Sequence, residues 1–121
     1  MSLKLQPMIH VENMAASIQF YEALGARLVV GSRQGDWAQL ELGGGEFALL
    51  AHPANPEQNE GQVELQFEAE QPLAELQETL EAKGVRIVRG AADEAFGEQL
   101  QIETPDGLLV KINRIDRRTF A

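Results

Sequence analysis

Residues 25–32 read GARLVVGS and residues 84–91 read GVRIVRGA, and this pair of stretches decides the fold. Gly25, Arg27, Val29 and Gly31 match Gly84, Arg86, Val88 and Gly90 at one constant spacing. A helical pattern comes just before each copy. Ahead of the first, Asn13 stands where an N-cap belongs, and Met14, Ile18, Tyr21 and Leu24 recur at helical intervals. Ahead of the second, Pro72 stands where a first helical residue would be, and Leu73, Leu76 and Leu80 form the apolar stripe. Gly25 and Gly84 then end their helices as left-handed caps, where a Cβ is unwelcome.

Strand patterns flank both helices. LKLQPMIHV leads into the first and GQVELQFEAE into the second. Three further strands follow each helix: ARLVVGS, DWAQLEL and EFALLA in the first half, and VRIVRG, FGEQLQIE and GLLVKIN in the second. Gly43-Gly44-Gly45 reads as a hairpin turn, and Pro105-Asp106-Gly107 as the turn before the last strand. The order strand–helix–strand–strand–strand therefore occurs twice, over residues 1–54 and 59–115, joined by the Pro- and Asn-rich HPANPEQNEG. The expected fold class is α+β: two βαβββ modules forming an open, mixed β-sheet with helices on its outer face.

The totals narrow the function. A chain of 121 residues and 13.3 kDa fits one domain with a core of its own. It has no cysteine, which removes disulfides, thiolate nucleophiles and thiolate metal sites. The start lacks the basic and apolar runs of a signal peptide, and nothing approaches a membrane span, so a cytoplasmic location is expected. Ten Lys and Arg stand against 19 Asp and Glu, a net charge of −9. That argues against a nucleic-acid partner and favours encounter with cations. No serine lies in a nucleophile-elbow setting, and the triple glycine opens onto a strand, not onto a phosphate-holding helix.

Strand alternation sorts the residues into two faces. Leu5, Ile9, Leu40, Leu42, Ala48, Leu50, Val63, Leu65, Phe67, Leu100, Ile102, Leu108, Val110 and Ile112 are expected beneath the helices. The opposite face is expected to carry Gln6, Met8, His10, Trp37, Gln39, Glu41, Phe47, Leu49, Gln62, Glu64, Gln66, Gln99, Gln101, Glu103, Leu109, Lys111 and Asn113. Aromatics, amides and carboxylates together suit a cleft that stacks on a flat ligand and hydrogen-bonds its rim.

VENMAASIQFYEALG and ETPDGLLVKI resemble signature segments of the vicinal oxygen chelate superfamily, which holds glyoxalase I, extradiol dioxygenases and bleomycin-resistance proteins. The resemblance covers nearly the whole chain and implies a cup-shaped sheet, usually in a homodimer. It also assigns the metal-ligand positions of metal-using members to Gln6, Leu49, Gln62 and Lys111. Leucine has no donor atom, a protonated lysine has no lone pair, and two neutral amides make a poor site. The resemblance therefore points to the metal-free, bleomycin-resistance-like branch, with no cofactor. A rebuilt site would draw on His10 with two of the carboxylates Glu41, Glu64 and Glu103, which would resemble a facial triad for iron.

Three readings follow. The first, which the residues favour, is a metal-independent binding protein that sequesters a small cationic, aromatic molecule such as bleomycin. In it Trp37 and Phe47 stack, Glu41, Glu64 and Glu103 attract the cation, Gln39, Gln62 and Gln101 orient it, and His10, Leu49 and Lys111 complete the lining. The second is a metal-dependent enzyme of the glyoxalase or dioxygenase type. The third is a metal-free lyase or isomerase using Lys111 or His10.

Overall fold

The computed structural model describes residues 3–116. Among them are nine strands and two α-helices: β1 (Leu3–Leu5), β2 (Met8–His10), α1 (Met14–Ala23), β3 (Arg27–Gly31), β4 (Trp37–Leu42), β5 (Gly45–Leu50), β6 (Val63–Ala69), α2 (Leu73–Ala82), β7 (Arg86–Glu94), β8 (Gly97–Glu103) and β9 (Leu109–Ile115). The expected α+β class and the doubled βαβββ order are both present. No described helix is long and apolar enough to cross a membrane.

The chain packs as two units, and each holds one helix. In the first module, Gln6–Glu64, β3, β4 and β5 are antiparallel neighbours, and β2 runs parallel to β5. The first residues of β6 pair antiparallel with β2, Glu64 opposite Met8. In the second module, β6 runs parallel to β9, and β9, β8 and β7 are antiparallel. β3 and β7 pair on one side only, so the sheet stays open.

The expected first strand breaks at Gln6-Pro7, since proline has no N–H to give a ladder. Its first part, β1, pairs antiparallel with β6 in the second module.

The matched stretches fold alike. Asn13 accepts from Ala16 N–H at 2.9 Å and starts α1. After α1, Gly25 takes φ +105° and Ala26 N–H bonds Tyr21 C=O; after α2, Gly84 takes φ +82° and Val85 N–H bonds Leu80 C=O. Pro72 stands one place earlier than expected, at the N-cap, where it has no side chain to offer; the Glu98 carboxylate accepts from Leu73 N–H at 3.3 Å instead. The register slips in both next strands, between Leu28 and Val30 and between Ile87 and Arg89. Each slip is a bulge that leaves the matched valines, Val29 and Val88, exposed. The matched arginines do the same work too. Arg27 pairs with Glu41 across β3–β4 at 2.7 Å, and Arg86 with Glu103 across β7–β8 at 3.4 Å.

Each helix buries its stripe in a separate core. Met14 and Ile18 pack on Ala38, Leu40 and Leu49, with Tyr21 edge-on to Phe47 at 4.9 Å. Leu73, Leu76 and Leu80 pack on Leu100 and Ile112, flanked by Phe67 and Ile102. A fully buried side chain of this size contributes about 1.5–3 kcal/mol. Leu24, expected in the first stripe, is 61% exposed.

One expected face is reversed. Leu42 lies opposite Gly45, so the β4–β5 hairpin turns through only Gly43 and Gly44. A two-residue turn pairs even positions of one strand with odd positions of the next. Leu40 therefore faces Phe47 and Ala38 faces Leu49, on the α1 side, while Ala48 and Leu50 face away. The expectation had kept Leu40 beside Ala48 and so inverted the whole strand. Leu5, Leu42, Val63 and Leu108, expected in the core, lie exposed.

Candidate functional site

On the first module's sheet, the face away from α1 is built by β2, β4 and β5. Met8, Trp37 and Ala48 form an apolar cluster there with Val30 and Leu50. Beside it, Glu46 accepts hydrogen bonds from Gln6 Nε2 at 2.9 Å and from Gln39 Nε2. Gln6 and Gln39 are 2% and 3% exposed, so this carboxylate sits in a protein-made amide cradle.

His10 ends β2 on the same face and is buried. Its Nδ1 lies 2.7 Å from the His52 carbonyl oxygen. A carbonyl can only accept, so Nδ1 carries a proton and Nε2 is aimed the other way. There Glu64 Oε2 lies at 2.5 Å. Glu60 completes the group: one ligand atom from each of His10, Glu60 and Glu64 falls within 4.8 Å of the others. Glu60 is positioned by the connecting segment, which is more ordered than a plain linker. Asn55 caps a 3-10 turn at Pro56–Gln58, Asn59 takes the left-handed φ of 60°, and the chain returns so that Asn55 N–H bonds Glu60 Oε1 at 2.9 Å. His52 itself is exposed.

The second module's face away from α2 carries amides. Gln66 lies opposite Lys111 on β9, which lies opposite Gln101 on β8. A hydrogen-bonded chain runs through them: Gln101 Nε2 donates to Gln99 Oε1 at 2.9 Å, Gln99 Nε2 to Asn113 Oδ1 at 2.9 Å, and Asn113 Nδ2 to Gln66 Oε1 at 2.8 Å. Arg89 Nη2 also donates to Gln99 Oε1, at 3.2 Å. Gln66, Gln99, Lys111 and Asn113 are all buried, and no buried side-chain polar atom among the described residues lacks a partner.

The expected site residues thus divide. His10, Trp37, Gln39 and Glu64 share the first module's face, and Gln101 and Lys111 the second's. Phe47 and Leu49 face α1 instead, and Gln62 is exposed. Glu41 and Glu103 are held in ion pairs with the matched arginines. Glu46 and Glu60 went unread. Counting the two-residue hairpin would have put Glu46 on the face, and Asn55-Pro56 is a helix-start signal inside the supposed linker. The four ligand positions implied by the resemblance do not fit a metal, because Leu49 has no donor atom and is fully buried against α1, and Lys111 stands where a carboxylate would be needed.

The sequence profile of the Glyoxalase/Bleomycin resistance protein/Dioxygenase superfamily matches residues 5–112. No curated protein matches the chain. Among solved structures, it is similar to a protein from Legionella pneumophila named an NAD-dependent benzaldehyde dehydrogenase, at 21% identity and a TM-score of 0.74, over 93% of this chain and 99% of that one. A superfamily member from Vibrio splendidus matches at 19% identity and a TM-score of 0.55, over 94% and 99% of the two chains. An uncharacterized protein from Methanosarcina mazei matches at 19% identity and 0.64, over 96% and 95%. At these identities the likeness is one of fold. With two βαβββ modules on the page and a profile match over nearly its whole length, the chain belongs to the glyoxalase/bleomycin resistance protein/dioxygenase superfamily.

Proposed function

We propose that this chain is a small-molecule binding protein whose ligand lies on the amide face of the second module, and that the ligand is polar and either neutral or anionic. The observation that carries this reading is the buried chain Gln101–Gln99–Asn113–Gln66 with Lys111 in the same row. Apolar side chains of the same volume would fill such a face at no cost to stability, so a fully satisfied amide network there is better explained by recognition. Lys111 brings a positive charge to the row, which favours an anionic group, while the neighbouring Arg89 is already paired with Glu94 at 2.6 Å.

A cationic aromatic ligand is less well supported. Trp37, the expected stacking ring, is packed among Met8, Ala48, Val30 and Leu50, and Phe47 belongs to the α1 core. Glu41 and Glu103 already neutralise arginines. The homodimer implied by the resemblance remains part of the proposal, and sedimentation equilibrium tests it.

The test of function is a ligand screen sorted by charge and followed by the side-chain amide resonances of Gln66, Gln99, Gln101 and Asn113. Small polar acids or neutral amides should shift those resonances, and Lys111→Met should weaken the acids selectively. Binding confined to cationic aromatics such as bleomycin, read by Trp37 fluorescence with silent amides, would overturn the reading.

A further inference from the structure

The first module holds a second, chemically distinct constellation. We infer that His10, Glu60 and Glu64 form a binding site for a first-row divalent cation, at positions other than Gln6, Leu49, Gln62 and Lys111.

Geometry comes first. The three ligand atoms lie within 4.8 Å of one another. Ligands at tetrahedral angles on one ion, at bonds of about 2.0–2.2 Å, stand about 3.3–3.6 Å apart. To reach that spacing His10 and Glu64, at 2.5 Å, would part by about an ångström, and the widest pair would close by up to about 1.5 Å. Glu60 is half-buried on a connecting segment, where that adjustment costs least.

The donors are also prepared for an ion. The Nδ1–H bond to the His52 carbonyl comes from outside the cluster, fixes the ring and leaves Nε2 directed at the carboxylates. An outer-sphere partner of this kind is what orients a metal-ligating histidine. Asn55 N–H does the same for Glu60.

Charge argues in the same direction. His10 Nε2 and Glu64 Oε2 are 2.5 Å apart with each residue 6% exposed, a contact that holds one proton between them, and a divalent ion bound there would take that proton's place. One imidazole with two carboxylates suits Mn²⁺, Fe²⁺, Co²⁺ or Zn²⁺ better than the all-oxygen shells of Mg²⁺ or Ca²⁺. Three protein ligands leave the remaining positions to water or a bound molecule.

The first experiment follows the His10 ring nitrogens by two-bond ¹H–¹⁵N correlation while Zn²⁺ is added to the intact protein. The expected result is a large shift of Nε2 with Nδ1–H retained, saturating at one equivalent. Titration calorimetry with Zn²⁺ and Mn²⁺ on Glu60→Gln and Glu64→Gln should show affinity lost by more than about tenfold in each. Circular dichroism checks that the variants are folded. Ring nitrogens unmoved by a saturating excess of Zn²⁺ overturn the site, as does affinity unchanged in both variants. Neither substitution touches the amide face, so failure here and failure of the proposed ligand class are separable.

Discussion

The reversal of β5 gives the sharpest test of the fold, because two adjacent leucines exchange roles. If the hairpin turns through Gly43 and Gly44, Leu49 lies in the α1 core, fully buried with Ile18, Ala38 and Leu40, and Leu50 lies half-buried on the other face beside Met8 and Trp37. Truncating a fully enclosed leucine removes its transfer free energy and leaves a cavity, together about 3–4 kcal/mol. Truncating a half-buried one costs about 1–1.5 kcal/mol, since water reaches the gap and part of the area was never buried. Leu49→Ala should therefore lower stability by roughly 2 kcal/mol more than Leu50→Ala. For a domain of this size that difference is a gap in Tm of about 6–10 °C. Urea unfolding followed by far-UV circular dichroism measures both variants, and the slopes should match the parent's, so that midpoints report stability alone. A Leu50→Ala loss equal to or larger than that of Leu49→Ala would refute the two-residue turn and restore the opposite face.

Four other outcomes are expected. Gly31→Ala should destabilise by at least about 1–3 kcal/mol in thermal unfolding, since φ is +91° and the new Cβ would lie 2.3 Å from the Trp37 carbonyl oxygen; Gly43→Ala, with open space around it, should cost less. Asn13→Ala should cost about 1 kcal/mol by loss of the α1 cap, with Asn13→Ser restoring most of it. The hydrogen bond from Arg33, at 2.6 Å, holds the Glu22 carboxyl below the usual carboxylate range; the pair's small contribution is thus present above the unfolded value and lost as pH falls through the folded one, and carbon-detected titration should show the Glu22 midpoint rising in Arg33→Gln. Converting Gln66, Gln99, Gln101 and Asn113 together to leucine should leave stability within about 1 kcal/mol of the parent and abolish ligand binding, whereas Asn113→Leu alone should cost about 1–3 kcal/mol by stranding two partners.

What was legible in the sequence is what the two modules share. The matched Gly25 and Gly84 mark a helix stop, which is set by local backbone geometry and so written in neighbouring residues; the ion pairs of the matched Arg27 and Arg86 went unread, since Glu41 and Glu103 were expected to face a ligand. The α2 stripe and the faces of β8 and β9 were readable because strict alternation runs unbroken through them. β5 was not, because EFALLA is apolar on both faces and alternation then carries no phase; only the number of residues in the turn sets it. The candidate sites were half legible. His10 with Glu64 could be suspected from shared parity. Glu60 could not, since it reaches them through a capped turn and a left-handed Asn59, a path no periodicity describes.

The two modules also show where duplication stops. The repeat persists in caps, bulges, arginine pairs and helix-covered cores, which are the parts that any sequence on this scaffold must supply in order to fold. It vanishes on the face away from each helix. There the first module sets an imidazole and three carboxylates, His10, Glu46, Glu60 and Glu64, while the second sets four amides and a lysine. Had those faces served only to fill space, the same apolar residues would have sufficed in both copies, as they do beneath the helices. That divergence, with every buried polar side-chain atom among the described residues still satisfied, supports the proposal that ligand chemistry lies on those faces.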